Sequence, residues 1–307
     1  MRILFAGSPA IAVPSLLALV RLGLVGVLTN PDTKRGRRGE AEPTDVGAAA
    51  DRLSGALPQF KPVTLDGAVR DAIAALQPDL LVSFAYGRIF GPTFLSLFPL
   101  GGINVHPSLL PKYRGATPIP AAILGRERET GVTIQRLALE MDAGDILAQE
   151  RIPLDGRETT ESLSKIAAEK GAALLPQALD KAAGRRQNND EASYCELIRS
   201  EDGLIDWSQG AADIDAKIRA YTPWPLCRTV HGKEILYILE GEPLEAGVQA
   251  GTVPGTVLGI DKKSGILVQT GDGILAVRRL QYAAKKALAW RDFLNGARDF
   301  IGARLTG

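Results

Sequence analysis

The sequence predicts an α/β protein: a Rossmann-like, open and mostly parallel sheet, followed by a second, smaller C-terminal OB-like β-barrel. Three observations carry this reading. The 307 residues exceed the roughly 100–200 of a typical domain, so two domains are expected. In the first part, continuous apolar runs alternate with helix-like stretches, the pattern of βαβ units whose parallel strands are buried on both faces. After a polar stretch at 184–210 the texture changes to short segments rich in Val and Ile, separated by Gly turns, which suits a small barrel.

Taken in order, strands are predicted at Arg2–Ala6, Leu24–Thr29 and Asp79–Ala85, with helices at Pro14–Leu22, Thr44–Leu53 and Gly67–Leu76 between them. Right-handed crossovers join such units. Further strands are predicted at Gly102–Val105, Gly131–Leu137 and Asp145–Ile152, then a helix over Thr160–Ala183 with Thr159 or Thr160 and Glu161 at its capped start. The first domain is therefore drawn at 1–183, a linker at 184–210 and the second domain at 211–307. In the second domain, segments Thr229–Leu239, Gly255–Ile260, Ile266–Thr270 and Ile274–Leu280 read as strands between helices Ala212–Tyr221 and Trp290–Ala303.

Hydrophobic residues make up 45% and charged residues 23%, which excludes disordered, collagenous and coiled-coil classes. With 36 Lys and Arg against 35 Asp and Glu, no overall field draws the chain to nucleic acid or membrane, so an anionic partner must meet a local patch. The basic surplus lies late: residues 210–307 carry 13 cations against 10 anions, whereas residues 1–209 carry 23 against 25. Cys195 and Cys227 are not a C-x-x-C pair, so neither a disulfide framework nor a zinc thiolate cluster is expected, and a reducing cytoplasm fits best. The N-terminus enters a strand at once rather than a signal peptide. The longest apolar run, near Ile11 to Val20, is broken by Pro14 and Ser15 and falls short of the roughly 20 residues that span a bilayer, so no membrane partner is expected.

Only two histidines, His106 and His231, are present. His231 sits in Val-His-Gly-Lys and reads as part of a hairpin turn. His106 ends an apolar strand in Asn104-Val-His106-Pro-Ser-Leu-Leu-Pro111. Strand alternation puts Asn104 and His106 on one side, and open α/β sheets bind ligands beyond strand carboxyl ends. An amide there can donate to a developing oxyanion, and an imidazole can bond the same centre or transfer a proton. A structural histidine is the plainer alternative. The set lacks only a carboxylate. Asp142 and Asp145, in Met141-Asp-Ala-Gly-Asp145, are candidates that turn chemistry alone would also explain.

Asn104-Val-His106-Pro-Ser108-Leu-Leu-Pro111, followed by Gly131-Val-Thr-Ile and Met141-Asp142-Ala-Gly144-Asp145, resembles the signature of the folate-dependent formyltransferases. Phe5-Ala-Gly-Ser-Pro9, Thr29-Asn-Pro-Asp32, Phe84-Ala-Tyr-Gly87, Tyr113-Arg-Gly115, Ile205-Asp-Trp207, Arg219-Ala-Tyr-Thr-Pro-Trp-Pro225 and Gly271-Asp-Gly-Ile274 extend the similarity over nearly the whole chain. They narrow it to the branch that acts on an aminoacyl-tRNA. The resemblance implies that 10-formyltetrahydrofolate donates a formyl group to the α-amino group of methionine on initiator tRNA, in a monomer that needs no metal. It makes residues 1–183 the catalytic domain and 211–307 a tRNA-binding domain. It implies catalytic roles for Asn104, His106 and Asp142, with the acid orienting the histidine and helping to remove the proton. Folate is expected near Phe84, Ala85, Tyr86 and Gly87, and near Ser108, Leu109, Leu110 and Pro111.

By the same resemblance, Lys34, Arg35, Arg37 and Arg38 form a loop that reaches the tRNA acceptor end, Arg37 aligning best with the family's functional arginine. Closely spaced cations can meet phosphates, and Gly36 and Gly39 permit reshaping on contact. Lys262, Lys263, Arg278, Arg279, Lys285, Lys286 and Arg291 are expected to supply a second basic face, of which alternation lets only a subset share one surface. Glu40 stands where another cation is expected. Pro107 stands where the family commonly has glycine, which would stiffen that loop. A nicotinamide dehydrogenase is disfavoured because Phe5-Ala-Gly7-Ser-Pro9 lacks G-x-G-x-x-G. An amino sugar nucleotide or glycinamide ribonucleotide acceptor, or hydrolysis of formylfolate, would use the same three polar residues, but the C-terminal barrel argues against the single-domain glycinamide enzymes and the basic loop favours tRNA over a sugar nucleotide. A non-catalytic nucleic-acid-binding protein would not need them.

Overall fold

Residues Ile3–Gly7 (β1) are buried without exception, as a central strand covered on both faces requires. The computed structural model describes residues 1–34, 39–53, 57–181, 183–244, 251–297 and 299–307. These fall into two units. The first comprises Met1–Pro118, Glu129–Pro153 and Ser164–Cys195, and the second Ile119–Arg128, Leu154–Leu163 and Glu196–Gly307.

In the first unit, β1 is followed by helix α1 (Val13–Leu19), β2 (Leu24–Leu28), α2 (Asp45–Asp51), β3 (Gln59–Phe60), α3 (Gly67–Ala74), β4 (Leu80–Phe84), β5 (Gly102–His106), β6 (Glu129–Arg136) and β7 (Ile146–Pro153). The sheet order is β7-β6-β5-β4-β1-β2-β3. Strands β3, β2, β1, β4 and β5 run parallel, and β6 and β7 join antiparallel at one edge. This is the predicted mostly parallel sheet. Alternate β1 residues Leu4 and Ala6 face a cluster with Leu28, Ile73, Leu81, Tyr86, Phe94 and Phe98. Thr44 and Asp66 cap α2 and α3, each accepting from the backbone N–H three residues on at 3.0 Å.

Helix α4 spans Thr160–Leu179. Its cap is Thr159, whose Oγ1 accepts from Ser162 N at 3.1 Å. The helix stops short of the predicted Ala183 because the backbone beyond it is needed elsewhere: Arg185 exchanges hydrogen bonds of 2.8 and 2.9 Å with Ile146 at the start of β7.

The second unit contains α5 (Ala211–Ala220), β8 (Cys227–His231), β9 (Glu234–Leu244), β10 (Val257–Asp261), β11 (Gly265–Gln269), β12 (Ile274–Tyr282), α6 (Trp290–Gly296) and β13 (Leu305–Thr306). Its antiparallel sheet has the order β10-β11-β12-β9-β8-β13 and curls into a half-barrel. Leu305 pairs with His231 of β8, and its N–H also donates to Gly255 O at 2.8 Å, while Val257 N donates to Ala303 O at 2.9 Å. The predicted strand Thr229–Leu239 is the β8–β9 hairpin, turned at Gly232 with φ +61°. The predicted helix Trp290–Ala303 ends at Gly296 because Ala297 leaves helical geometry at φ −133°. The chain beyond is drawn to the barrel edge, with Phe300 packed edge-on to His231 and Phe293.

Candidate active site

Strand β5 is the last parallel strand, so its carboxyl end opens into a loop where the antiparallel β6 returns. Asn104 lies opposite Gln135, and His106 opposite Thr133. Period-two geometry therefore puts all four on one face. The loop after β6 carries Asp142 back over that face. Asp142 Oδ2 stands 3.6 Å from His106 Nδ1, and its Oδ1 lies 3.5 Å from Asn104 Nδ2. The three residues singled out from the sequence meet, although 38 positions separate Asn104 from Asp142.

The imidazole is buried and its other nitrogen is committed. Nε2 lies 2.8 Å from Tyr113 O. A carbonyl only accepts, so Nε2 carries hydrogen and Nδ1 is the nitrogen turned to the carboxylate. Tyr113 has φ +60° and Asp142 φ +52°, left-handed conformations that side-chain-bearing residues adopt where the surroundings enforce them. Gly144 shows part of that enforcement: a Cβ there would lie 1.8 Å from Arg136 O.

Further donors surround Asp142 that the sequence reading did not single out for this role. Gly115 N donates to Oδ2 at 3.0 Å and Gln135 Nε2 to Oδ1 at 2.7 Å. Gln135 is 1% exposed, and a signal for it existed: Thr133 and Gln135 are polar at spacing two inside an apolar strand. Gln187, in the polar stretch after α4, donates to Asp142 O at 2.8 Å and to Gly144 O at 2.7 Å. Arg114, fully buried, donates to Gln187 Oε1 at 2.9 and 3.1 Å and to Asn189 Oδ1 at 2.8 Å. Its charge is met by Glu140, 3.6 Å away. Tyr194–Cys195 pairs in parallel with Arg114–Gly115.

Of the segments expected near folate, Phe84 and Tyr86 turn into the core, at 1% and 2% exposure, whereas Ala85 and Gly87 are exposed with φ +49° and +81°. What Phe84–Gly87 offers a ligand is mainly backbone. Burial pushes the Tyr86 phenol above its usual value; its buried hydroxyl has no hydrogen-bond partner among the described residues, and its carbonyl accepts from Asn30 Nδ2 at 3.0 Å. Ser108 is fully buried, its Oγ donating to Lys112 O at 2.7 Å. Leu110 N donates to Thr133 Oγ1 at 3.2 Å and Leu110 O accepts from Gln149 at 3.0 Å, so this loop is tied to β6 and β7 beside His106. Leu109 and Pro111 are half-buried. A separate cleft of about 440 Å³ is lined by Ile146, Gln149, Lys181 and Arg185, and by none of the expected catalytic or folate residues.

Lys34 is exposed in a short strand, and Glu40 is exposed too; Arg35, Arg37 and Arg38 lie outside the described residues. In the second unit Lys262, Lys263, Arg279, Lys285 and Lys286 are exposed. Arg278 pairs with Glu242, Lys285 lies 3.2 Å from Glu234, and Arg291 donates to Lys262 O at 2.8 Å. His231 Nδ1 meets the Tyr282 hydroxyl at 2.7 Å, a packed aromatic setting. Burial pushes the Cys227 thiol up to about 12 and raises Cys195 as well. Among the described residues, no group of three His, Cys, Asp or Glu side chains is placed to hold a metal, and no helix is long and apolar enough to cross a membrane.

The Formyl transferase family matches residues 3–179, and its C-terminal domain matches residues 197–298. The methionyl-tRNA formyltransferase of Treponema denticola is 49% identical, with 98% of each chain covered; that of Borrelia duttonii is 38% identical over 98% of this chain and 99% of its own. Among solved structures, an N-formyltransferase from Helicobacter canadensis in complex with folinic acid and dTDP-3-aminofucose is 20% identical, with a TM-score of 0.65 over 90% of this chain and 99% of that one. HypX from Aquifex aeolicus in complex with tetrahydrofolic acid is 19% identical, with a TM-score of 0.65 over 98% of this chain, which spans about half of HypX (48%). Those two likenesses concern the fold.

Proposed function

The chain belongs to the formyl transferase family, and on that premise we propose that it transfers the formyl group of 10-formyltetrahydrofolate to the α-amino group of methionine on initiator tRNA, in preparation for translation initiation. The observation that carries the chemistry is the convergence of Asn104, His106 and Asp142. Full-length similarity to methionyl-tRNA formyltransferases supports the choice of acceptor.

In this reading the amine nitrogen attacks the formyl carbon, the new C–N bond forms, and the carbonyl electron pair moves onto oxygen. Asn104 is placed to donate to that oxyanion from the carboxyl end of β5. His106, with Nε2–H held by Tyr113 O, turns the Nδ1 lone pair to the reacting centre beside Asp142 Oδ2; the proton shed by the amine is received between Nδ1 and that carboxylate, directly or through water, and Asp142 orients the imidazolium so formed. Collapse of the adduct breaks the bond to N10 of the folate, which takes up a proton. Donors held in place before charge develops stabilise the transition state without reorganising.

Folate is assigned to the exposed backbone at Ala85 and Gly87 and to the adjoining Ser108–Pro111 loop. The acceptor stem is assigned to the segment containing Lys34, Arg35, Arg37 and Arg38, with exposed cations of the C-terminal domain as a second grip. Both substrates fit a cytoplasmic setting for this reaction.

The test is an acceptor assay. Purified protein is incubated with 10-formyltetrahydrofolate and, separately, initiator methionyl-tRNA, an amino sugar nucleotide and glycinamide ribonucleotide. Formyl-methionyl-tRNA is the expected product. Formylated sugar with no formylated tRNA overturns the choice of acceptor.

A further inference from the structure

We propose that Gln187 is a positioning residue for Asp142, oriented by the buried Arg114 and acting in part through Gln135. The inference rests on the catalytic role assigned to Asp142 above and adds residues to it. A guanidinium only donates, so the two hydrogen bonds from Arg114 at 2.9 and 3.1 Å force Oε1 of Gln187 to face it. The amide nitrogen of Gln187 must then point the opposite way, into the Asp142 loop. There it meets three acceptors: Asp142 O at 2.8 Å, Gly144 O at 2.7 Å and Gln135 Oε1 at 3.2 Å.

The contact with Gln135 carries the orientation one residue further. With its oxygen turned to Gln187, Gln135 presents its own amide nitrogen to Asp142 Oδ1 at 2.7 Å. A single ordered chain of donors thus runs from Arg114 through Gln187 and Gln135 to the carboxylate. Its backbone branch also holds the carbonyls of a loop whose Asp142 has φ +52°. Arg114 has no exposure, and its partners Gln187, Asn189 and Tyr194 all come from one stretch of chain. Satisfying a buried guanidinium and aiming a catalytic carboxylate are therefore one arrangement.

The experiment compares Gln187→Glu, which keeps an acceptor for Arg114 but loses the donors, with Gln187→Leu, which loses both. Each is made in the full-length wild-type chain and in Asp142→Ala, and turnover is read under single-turnover conditions. Either variant should lower kcat on the order of 10- to 100-fold, the scale expected when a reacting group is misplaced by about 1 Å. KM for both substrates should stay within about threefold, and amide hydrogen exchange should quicken at residues 140–145. In the Asp142→Ala background the further loss should be under about twofold, because residues acting as one unit are not additive. Full turnover with unchanged exchange, or an equal loss in both backgrounds, overturns the proposal. If Gln187→Leu does not fold, Gln187→Glu decides alone. Absence of formyl-methionyl-tRNA with the wild type would instead sink the choice of acceptor, and the same ratios, measured with whichever amine is formylated, still decide Gln187.

Discussion

His106 Nε2 donates to the carbonyl of Tyr113 across 2.8 Å, and this bond selects which face of the imidazole is available for chemistry. Nδ1 is left beside Asp142 Oδ2 at 3.6 Å, so a carbonyl on a left-handed residue, φ +60°, sets the tautomer. Tyr113 itself hangs from another element: its N–H donates to Ser193 Oγ at 2.9 Å.

His106→Ala and Asp142→Ala are each expected to lower turnover on the order of 10²- to 10³-fold while leaving affinity for methionyl-tRNA unchanged. Rapid-quench formylation and a tRNA-binding titration separate the two quantities. Wild-type turnover in His106→Ala removes the histidine from the mechanism.

Gly115→Ala should strain the site from below. Gly115 has φ +118°, and a Cβ there would lie 2.2 Å from Cys195 O, so the backbone must shift and the bond from Gly115 N to Asp142 at 3.0 Å lengthens. A loss of about 2 kcal/mol or more is expected for strain of this kind. The thermal midpoint should fall by several degrees, and kcat should drop at temperatures where the variant is fully folded. An unchanged midpoint contradicts the strain.

Arg37→Ala is expected to weaken productive engagement of tRNA while leaving reaction with a minimal amine acceptor at the wild-type rate. Removing one phosphate contact reduces the slope of log affinity against log salt by roughly 1. Identical kinetics and identical salt dependence would remove the basic segment 34–38 from tRNA binding.

Cys227 gives a pH prediction. Burial raises its thiol from 9.0 to about 12, so the unfolded chain releases this proton at lower pH than the folded one. The stability tied to it is fully present below about pH 9 and is lost as pH rises towards 12. Urea midpoints should decline over that window, and the decline should be shallower in Cys227→Ala. In the native protein at pH 8, Cys227 should resist alkylation until denaturant is added. Prompt labelling there would show that the thiol is accessible.

The central strands were legible because β1 and β4 are buried throughout and, Ser83 apart, carry no polar side chain, so their lack of alternation pointed to a covered sheet. Asn104 and His106 were legible for the opposite reason: polar residues at spacing two, at the end of an apolar strand, must share a side. Asp142 could be paired with them only through the family resemblance, because a loop gives no period from which to compute where it returns. Gln135 left a trace, a polar residue alternating with apolar neighbours. Gln187 left none, since its stretch of chain has no period and its meaning lies in which buried groups it reaches. The end of α6 was misread because Phe300 continues an apolar pattern, yet its partners are His231 and Phe293 in the barrel.

The pairing of Tyr194–Cys195 with Arg114–Gly115 also sets a schedule for synthesis. Arg114 N and Tyr113 N are both satisfied by Ser193, about 80 residues later in the chain. A nascent polypeptide that has released the whole parallel sheet still lacks the strand that pairs with Arg114–Gly115 beside His106 and Asp142. On the function proposed above, competence for the reaction is expected only after residue 195 has cleared the ribosome, later than the sheet that bears His106.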